Sequence, residues 1–213
     1  YGIVPMDGHT LPSIKIDLDL IVAGPMARTA SDLRLAMDLI KGPTREHMSA
    51  WNIILPERKK RNLSDYRVAV CVDQSICKVD KLIIERIEKI AKFLERNGAI
   101  ISFDAVPNVD MNEIHDLYLK NLRGATGALM DEAEFSNAIN ETSKLSPDDI
   151  SYWAYVNRSA TQTHRDYFSI QQKRQEIRNK WADFFTKWDI LLCPTTSTTA
   201  IIHDQDQPRH KRT

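Results

Sequence analysis

Hydroxyl, thiol and imidazole side chains are the groups in this sequence that could act on a substrate, and their densest run is Thr195-Thr196-Ser197-Thr198-Thr199. It follows Asp189-Ile190-Leu191-Leu192-Cys193-Pro194, an apolar run that reads as a strand stopped by proline. Hydroxyls at the end of such a strand in an α/β sheet lie at the edge where ligands bind. The same threonines could instead satisfy a turn by local hydrogen bonds, and the sequence leaves both readings open.

The remaining groups offer less. Six histidines occur without HxxxH or HExxH spacing, and no GxSxG nucleophile elbow is present. His164 and Asp166 stand two apart in a helical pattern and so face different directions, while His203-Asp204 suits a solvent-facing or capping role. Cys71, Cys77 and Cys193 are odd in number and lack CxxC spacing, so reduced structural cysteines are expected. The seven glycines fall short of the roughly 15 that average usage would place in such a chain. The closest pair, Gly124 and Gly127, lies in a helical pattern, so no phosphate-cradling loop can be built.

The elements that would position these groups are well punctuated. In the stretch Asp19 to Pro43, an extended run Leu20 to Ala23 breaks at Gly24-Pro25, and Thr29 can cap a helix starting at Ala30 with Asp32 in its first turn. Leu33, Met37 and Ile40 predict a buried stripe, and Lys41-Gly42-Pro43 a stop. Arg67 to Val72 is an apolar β-branched run ending at Asp73, followed by a helix capped by Asp80 that carries Ile83, Ile84, Ile87, Ile90, Ala91 and Leu94 and ends at Gly98. Ala99 to Phe103 is the next strand, and the three pieces describe a parallel crossover unit.

A helix is predicted over Met111 to Met130, narrowed at Ala125, Gly127 and Ala128 for close approach by a neighbouring helix or by a ligand. Ser146-Pro147-Asp148-Asp149 reads as a further helix start with the two aspartates as capping residues, and Ser159 to Trp188 as one long polar helix across a surface. Tyr1 to Lys15 reads as loop, and Lys59-Lys60-Arg61 as a solvated charge run. No repeat or linker stands out, so residues 1–213 are expected to form one unit.

Composition narrows the class. The chain has 213 residues, enough to bury about 70% of its unfolded surface. Hydrophobic residues make up 42% and charged residues 27%, with no apolar run of membrane-spanning length. Twenty-nine basic residues balance twenty-nine acidic ones, which removes the positive field that nucleic-acid or membrane-surface binding uses. A small neutral partner in a reducing, cytoplasmic setting is the expectation.

Gly24-Pro25-Met26-Ala27-Arg28-Thr29 followed by Asp32-Leu33 resembles the segment of the amidase signature family that comes after its catalytic centre. Tyr1-Gly2-Ile3-Val4-Pro5-Met6 falls on the family's Tyr-Gly-x-Lys-Pro-Thr segment, with Val4 and Met6 in place of lysine and threonine. Tyr66 to Val70, Val79-Asp80, His115 with Tyr118, and His164-Arg165 then occur in the order of bacterial members. Trp181, Phe184-Phe185, Trp188 to Pro194 and His203-Asp204-Gln205 resemble its second recognisable run, which delivers a loop to the substrate pocket.

The resemblance implies part of the amidase signature fold, an α/β chain with a mixed β-sheet flanked by helices. It implies hydrolysis of a carboxylic amide through a serine acyl-enzyme, without metal or organic cofactor, with a small-molecule amide as partner. In the family a serine, a second serine in a cis peptide and a lysine sit on an upstream Gly/Ser-rich segment that this sequence does not contain. The chain is therefore expected to be a piece truncated at both ends, inactive alone, with Tyr118, Thr195 and Thr196 lining part of the acyl-side pocket. The alternatives are a non-catalytic binding protein derived from an amidase, and an amidotransferase subunit.

Overall fold

Short polar side chains set the helix starts by accepting first-turn amides that have no partner within the helix. The computed structural model describes residues 2–9, 20–57, 60, 62–72, 75–201, 203 and 206. The Thr29 hydroxyl accepts the Asp32 amide at 3.1 Å, and helix α1 runs Ala30–Ile40 as expected. Strand β1, Arg67–Val70, leads to helix α2, Lys81–Arg96, where Asp80 accepts the Leu82 amide at 3.0 Å. Strand β2 is Ile100–Ser102 and helix α3 Met111–Gly127. Helix α4, Glu132–Lys144, starts with a reciprocal pair in which Asp131 accepts the Glu134 amide and Glu134 accepts the Asp131 amide. Helices α5, Tyr152–Ala160, and α6, His164–Lys187, and strand β3, Ile190–Leu192, complete the order.

Removing the Thr29 cap tests this local logic. Thr29→Ala should cost α1 about 1 kcal/mol, read as roughly fivefold faster hydrogen exchange at the Asp32 and Leu33 amides. Unchanged exchange at both would show that the cap contributes nothing.

Contacts divide the chain into two units, Tyr1–Glu57 with Tyr118–Ile170, and Arg58–Leu117 with Gln171–Thr213. The second holds a three-stranded sheet ordered β2-β1-β3, and both described pairs are parallel. The β1-α2-β2 crossover predicted from the sequence is present. Val68, Ala69 and Val70 are fully buried. Val70 packs with Ile87 and Ala91 of α2, and Val72, Ile83, Ile101 and Leu192 surround that cluster. Burying a side chain of the Val70 kind contributes about 1.5–3 kcal/mol, so this cluster anchors the sheet. Gly98 closes the turn from α2 to β2 with φ +88°, and a Cβ there would lie 2.9 Å from the Ser64 Cβ. Only glycine fits both requirements.

At the same N-terminal edge of the sheet, Asp189 joins β3 to β1. Its carboxylate accepts the Arg67 amide at 2.8 Å and pairs with Lys60, while its own amide donates to the Arg67 carbonyl at 2.9 Å. Lys60 is thus a partner of Asp189 and lies 5.4 Å over the Tyr66 ring, which corrects the reading of it as part of a solvated run. The flanking Lys59 and Arg61 lie outside the described residues.

In the first unit, α4 and α5 bury Ala138, Ala154 and Ala160. Gly127 lies against the Ala160 backbone: a Cβ on Gly127 would fall 2.4 Å from the Ala160 carbonyl oxygen. The narrowed end of α3 therefore serves close helix packing. Residues 2–9 are held to the turn after α1, since Gly42 donates to the Ile3 carbonyl and the Arg45 amide donates to Asp7.

Several expectations need correction. Leu20 to Ala23 belongs to no strand in the described residues; Ile21, Val22 and Ala23 line a cavity instead. The α1 stripe is not fully buried: Leu33 and Ile40 remain exposed, and Met37 is half-buried beside the cavity it lines with Ile3, Met6 and Trp51. α5 begins at Tyr152, capped by Ser151, and not at Pro147. Asp149 accepts the Ser151 amide, and Arg158 donates to the Ser146 and Asp149 carbonyls, which holds residues 146–150 in turns. Neither Asp148 nor Asp149 caps the helix. The predicted helix Ser159 to Trp188 is two helices. Thr161 ends α5, and Thr163 with Asp166 forms a reciprocal cap that starts α6 afresh. The expectations for Tyr1, residues 10–15 of the predicted loop, Asp73 and Asp204-Gln205 fall outside the described residues.

Candidate functional site

In a parallel sheet the C-terminal strand ends form one edge, and loops leaving it carry binding groups. Here β1, β2 and β3 end at Val70, Ser102 and Leu192. The β3 exit runs Cys193, Pro194, Thr195, Thr196, and its continuation is fastened by the Ser197 carbonyl, which accepts the Asp80 amide at 2.7 Å just before α2. Thr195 and Thr196 are exposed, and neither hydroxyl has a hydrogen-bond partner among the described residues. They are not spent on a local turn there. Two such donor-acceptor groups on a loop tied at one end to a strand and at the other to a helix start can orient a small polar ligand.

Burial holds the Cys193 thiol above its usual range, and the neighbouring Cys71 thiol adds to the shift. A thiol held protonated attacks slowly at neutral pH and gains reactivity as the pH rises and the thiolate forms. Asp166, the other half of the His164–Asp166 spacing, spends its carboxylate on the Thr163 hydroxyl and amide, which lowers its pKa. It forms no pair with His164, as the helical spacing predicted. In the described residues no group of three or more His, Cys, Asp or Glu side chains could hold a metal ion, and no helix is long and apolar enough to cross a membrane.

Tyr118 belongs to the first unit, on α3, with its ring half exposed. The structure thus assigns it and the two threonines to different units, and each is described where it stands. The first unit also contains a mainly apolar cavity of about 350 Å³ lined by Met6, Ile21, Met37, His47 and Trp51 among others. His47 stacks on Trp51 with ring centroids 4.3 Å apart, and its Nδ1 meets the Thr44 hydroxyl at 2.9 Å. Sequence reading missed this cavity, although the i, i+4 spacing of His47 and Trp51 was a usable signal. The Ser197–Asp80 tie had no sequence signal, because it joins residues far apart in the chain.

The family model described as Amidase matches residues 1–213. No curated protein matches the chain. Among solved structures, a bacterial aryl acylamidase of the amidase signature enzymes family is 19% identical with a TM-score of 0.58, over 86% of this chain and 38% of its own. A glutamyl-tRNA(Gln) amidotransferase subunit from Thermotoga maritima is 20% identical with a TM-score of 0.56, over 85% and 39%. A fatty acid amide hydrolase is 19% identical with a TM-score of 0.53, over 82% and 30%. At these identities the likeness is one of fold, and the chain spans well under half the length of each of these structures.

Proposed function

The chain belongs to the amidase family, and from that membership we propose that the whole protein hydrolyses a carboxylic amide through a serine acyl-enzyme, with this chain supplying binding surface and scaffold. Such chemistry needs an activated hydroxyl, a proton acceptor for it and donors aimed at the developing oxyanion. The sequence contains no Gly/Ser-rich segment to carry them, so in this reading the 213 residues alone are inactive. The observation that carries the assignment of a binding role is the pair of exposed hydroxyls, Thr195 and Thr196, without a partner among the described residues, at the C-terminal edge of a parallel sheet. They would hold the polar part of the amide; Tyr118, half exposed in the other unit, is proposed only by itself as an aromatic lining residue.

An aryl amide hydrolysis assay with a fluorophosphonate label tests this. The 213-residue chain is expected to release no arylamine and take no label, whereas a longer protein with the Gly/Ser-rich segment does both. In that protein Thr195→Val and Thr196→Val should each raise KM up to about tenfold, the cost of one lost hydrogen bond, with kcat little changed. Fluorophosphonate-sensitive turnover by the 213 residues alone would overturn the proposal. A second reading, an amidotransferase subunit, draws on the fold likeness to the Thermotoga maritima protein. It predicts that the longer protein hydrolyses simple aryl amides only weakly and transfers ammonia from glutamine once a partner is added.

A further inference from the structure

The β1–β3 ladder advances one for one, Val68 with Ile190, Ala69 with Leu191 and Val70 with Leu192. It does not stop there: the Cys71 amide donates to the Leu192 carbonyl at 2.9 Å, which makes Cys71 and Cys193 the next partners in register. Adjacent strands lie about 4.8 Å apart, and a disulfide needs Cα atoms roughly 4.4–6.8 Å apart. Side-chain direction agrees as well. Val70, Val72, Ile101 and Leu192 all turn toward the cluster with α2, so strand alternation sends Cys71 and Cys193 together to the other face of the sheet. Cys71 is half-buried and Cys193 exposed, so of the two residues Cys193 is the more accessible to a reagent in solution.

We propose that Cys71 and Cys193 form a dithiol site that closes to an intramolecular disulfide between β1 and β3, at the root of the Thr195-Thr196 loop. The oxidant is a low-molecular-weight disulfide of the oxidised glutathione class. Cys193 loses its proton, and its thiolate attacks one sulfur of that disulfide, forming a mixed disulfide and releasing one small thiol. Cys71 then loses its proton and attacks the Cys193 sulfur, forming the Cys71–Cys193 bond and expelling the second small thiol. Two protein thiols are oxidised and one small disulfide is reduced to two thiols. Cys77, exposed outside the ladder, has no register partner and takes no part.

The 213-residue chain and its Cys77→Ser variant would be incubated natively at mildly alkaline pH, where the Cys193 thiolate forms, with oxidised glutathione, then blocked with a maleimide and mapped by mass spectrometry without reduction. The expected product in both is a cross-linked peptide pair containing Cys71 and Cys193, lighter by two hydrogens, while Cys71→Ser stops at a glutathione adduct on Cys193. The same oxidation in concentrated urea should lose the preference, with wild-type pairing spread over all three cysteines. Stable glutathione adducts on both sulfurs, pairing through Cys77, or an identical preference in urea would each overturn the proposal.

Discussion

Asp189→Ala is expected to destabilise the chain by about 2–3 kcal/mol, the cost of removing a charged acceptor from a backbone amide and a lysine. For a chain of this size that corresponds to a fall in Tm of roughly 5–10 °C. The reason lies in what one carboxylate holds together: the Arg67 amide at the start of β1 and the Lys60 ammonium, beside the Arg67 side chain at 3.6 Å. Without it the Arg67 amide at the sheet margin loses its acceptor, and the β3 pairing that begins at Val68–Ile190 keeps only the backbone tie from the residue-189 amide to the Arg67 carbonyl there. Asp189→Asn keeps an acceptor but not the charge and should fall between the two.

The same group carries a pH signature. The Lys60 contact first, and the Arg67 amide second, hold the Asp189 carboxyl below the usual carboxylate range. A depressed folded-state pKa contributes stability that is fully present above the unfolded value, about 3.9, and is lost as pH falls through the folded value. The stability gap between wild type and Asp189→Ala should therefore be constant from neutral pH to about pH 5 and narrow below about pH 4. Urea unfolding at a series of pH values reads this directly. A gap that widens on acidification would show that Asp189 does not act as a paired carboxylate.

Gly127→Ala should destabilise by about 1–3 kcal/mol, although alanine is by about 1 kcal/mol the better helix former. The added Cβ would meet the Ala160 carbonyl oxygen at 2.4 Å and its Cα at 2.9 Å. Those are backbone atoms of α5, so relief requires the two helices to separate. Gly124, one turn earlier on α3, is the natural control. A Cβ there meets the amide end of Gln162, a flexible side chain whose nitrogen donates to the Lys120 carbonyl at 3.1 Å. Gly124→Ala loses that bond and gains helix propensity, and its net effect should stay within about 1 kcal/mol. Equal effects at the two glycines in a thermal denaturation series would contradict the close-packing account.

Much of the local architecture was legible. Thr29, Asp80 and Gly98 each mark a boundary that the structure reproduces to within a residue, because capping and positive-φ turns depend on groups within three or four positions. Where reading failed, a competing local bond decided. Asp149 turned from a helix cap into a turn acceptor for Ser151, and Thr163 with Asp166 broke a periodic pattern that otherwise ran on from Ser159. The apolar stripe of α1 showed the opposite limit. Period predicts which face a helix offers, and a covering element elsewhere in the fold determines whether that face is buried.

The candidate site divides the same way. From the sequence alone came the family resemblance, the strand that delivers the Thr195-Thr196 loop and the parallel crossover β1-α2-β2, all carried by residue order and short spacing. Tertiary structure alone decided that those hydroxyls have no partner among the described residues, that Ser197 is fastened to Asp80, that Asp189 clasps a strand 122 positions away and that Cys71 stands in register with Cys193. Capping and periodicity act within a turn of helix or a pair of strand residues. Register, close helix contact and the partner of a carboxylate at a strand margin arise only when distant segments are brought together, and no spacing within the chain encodes which ones meet.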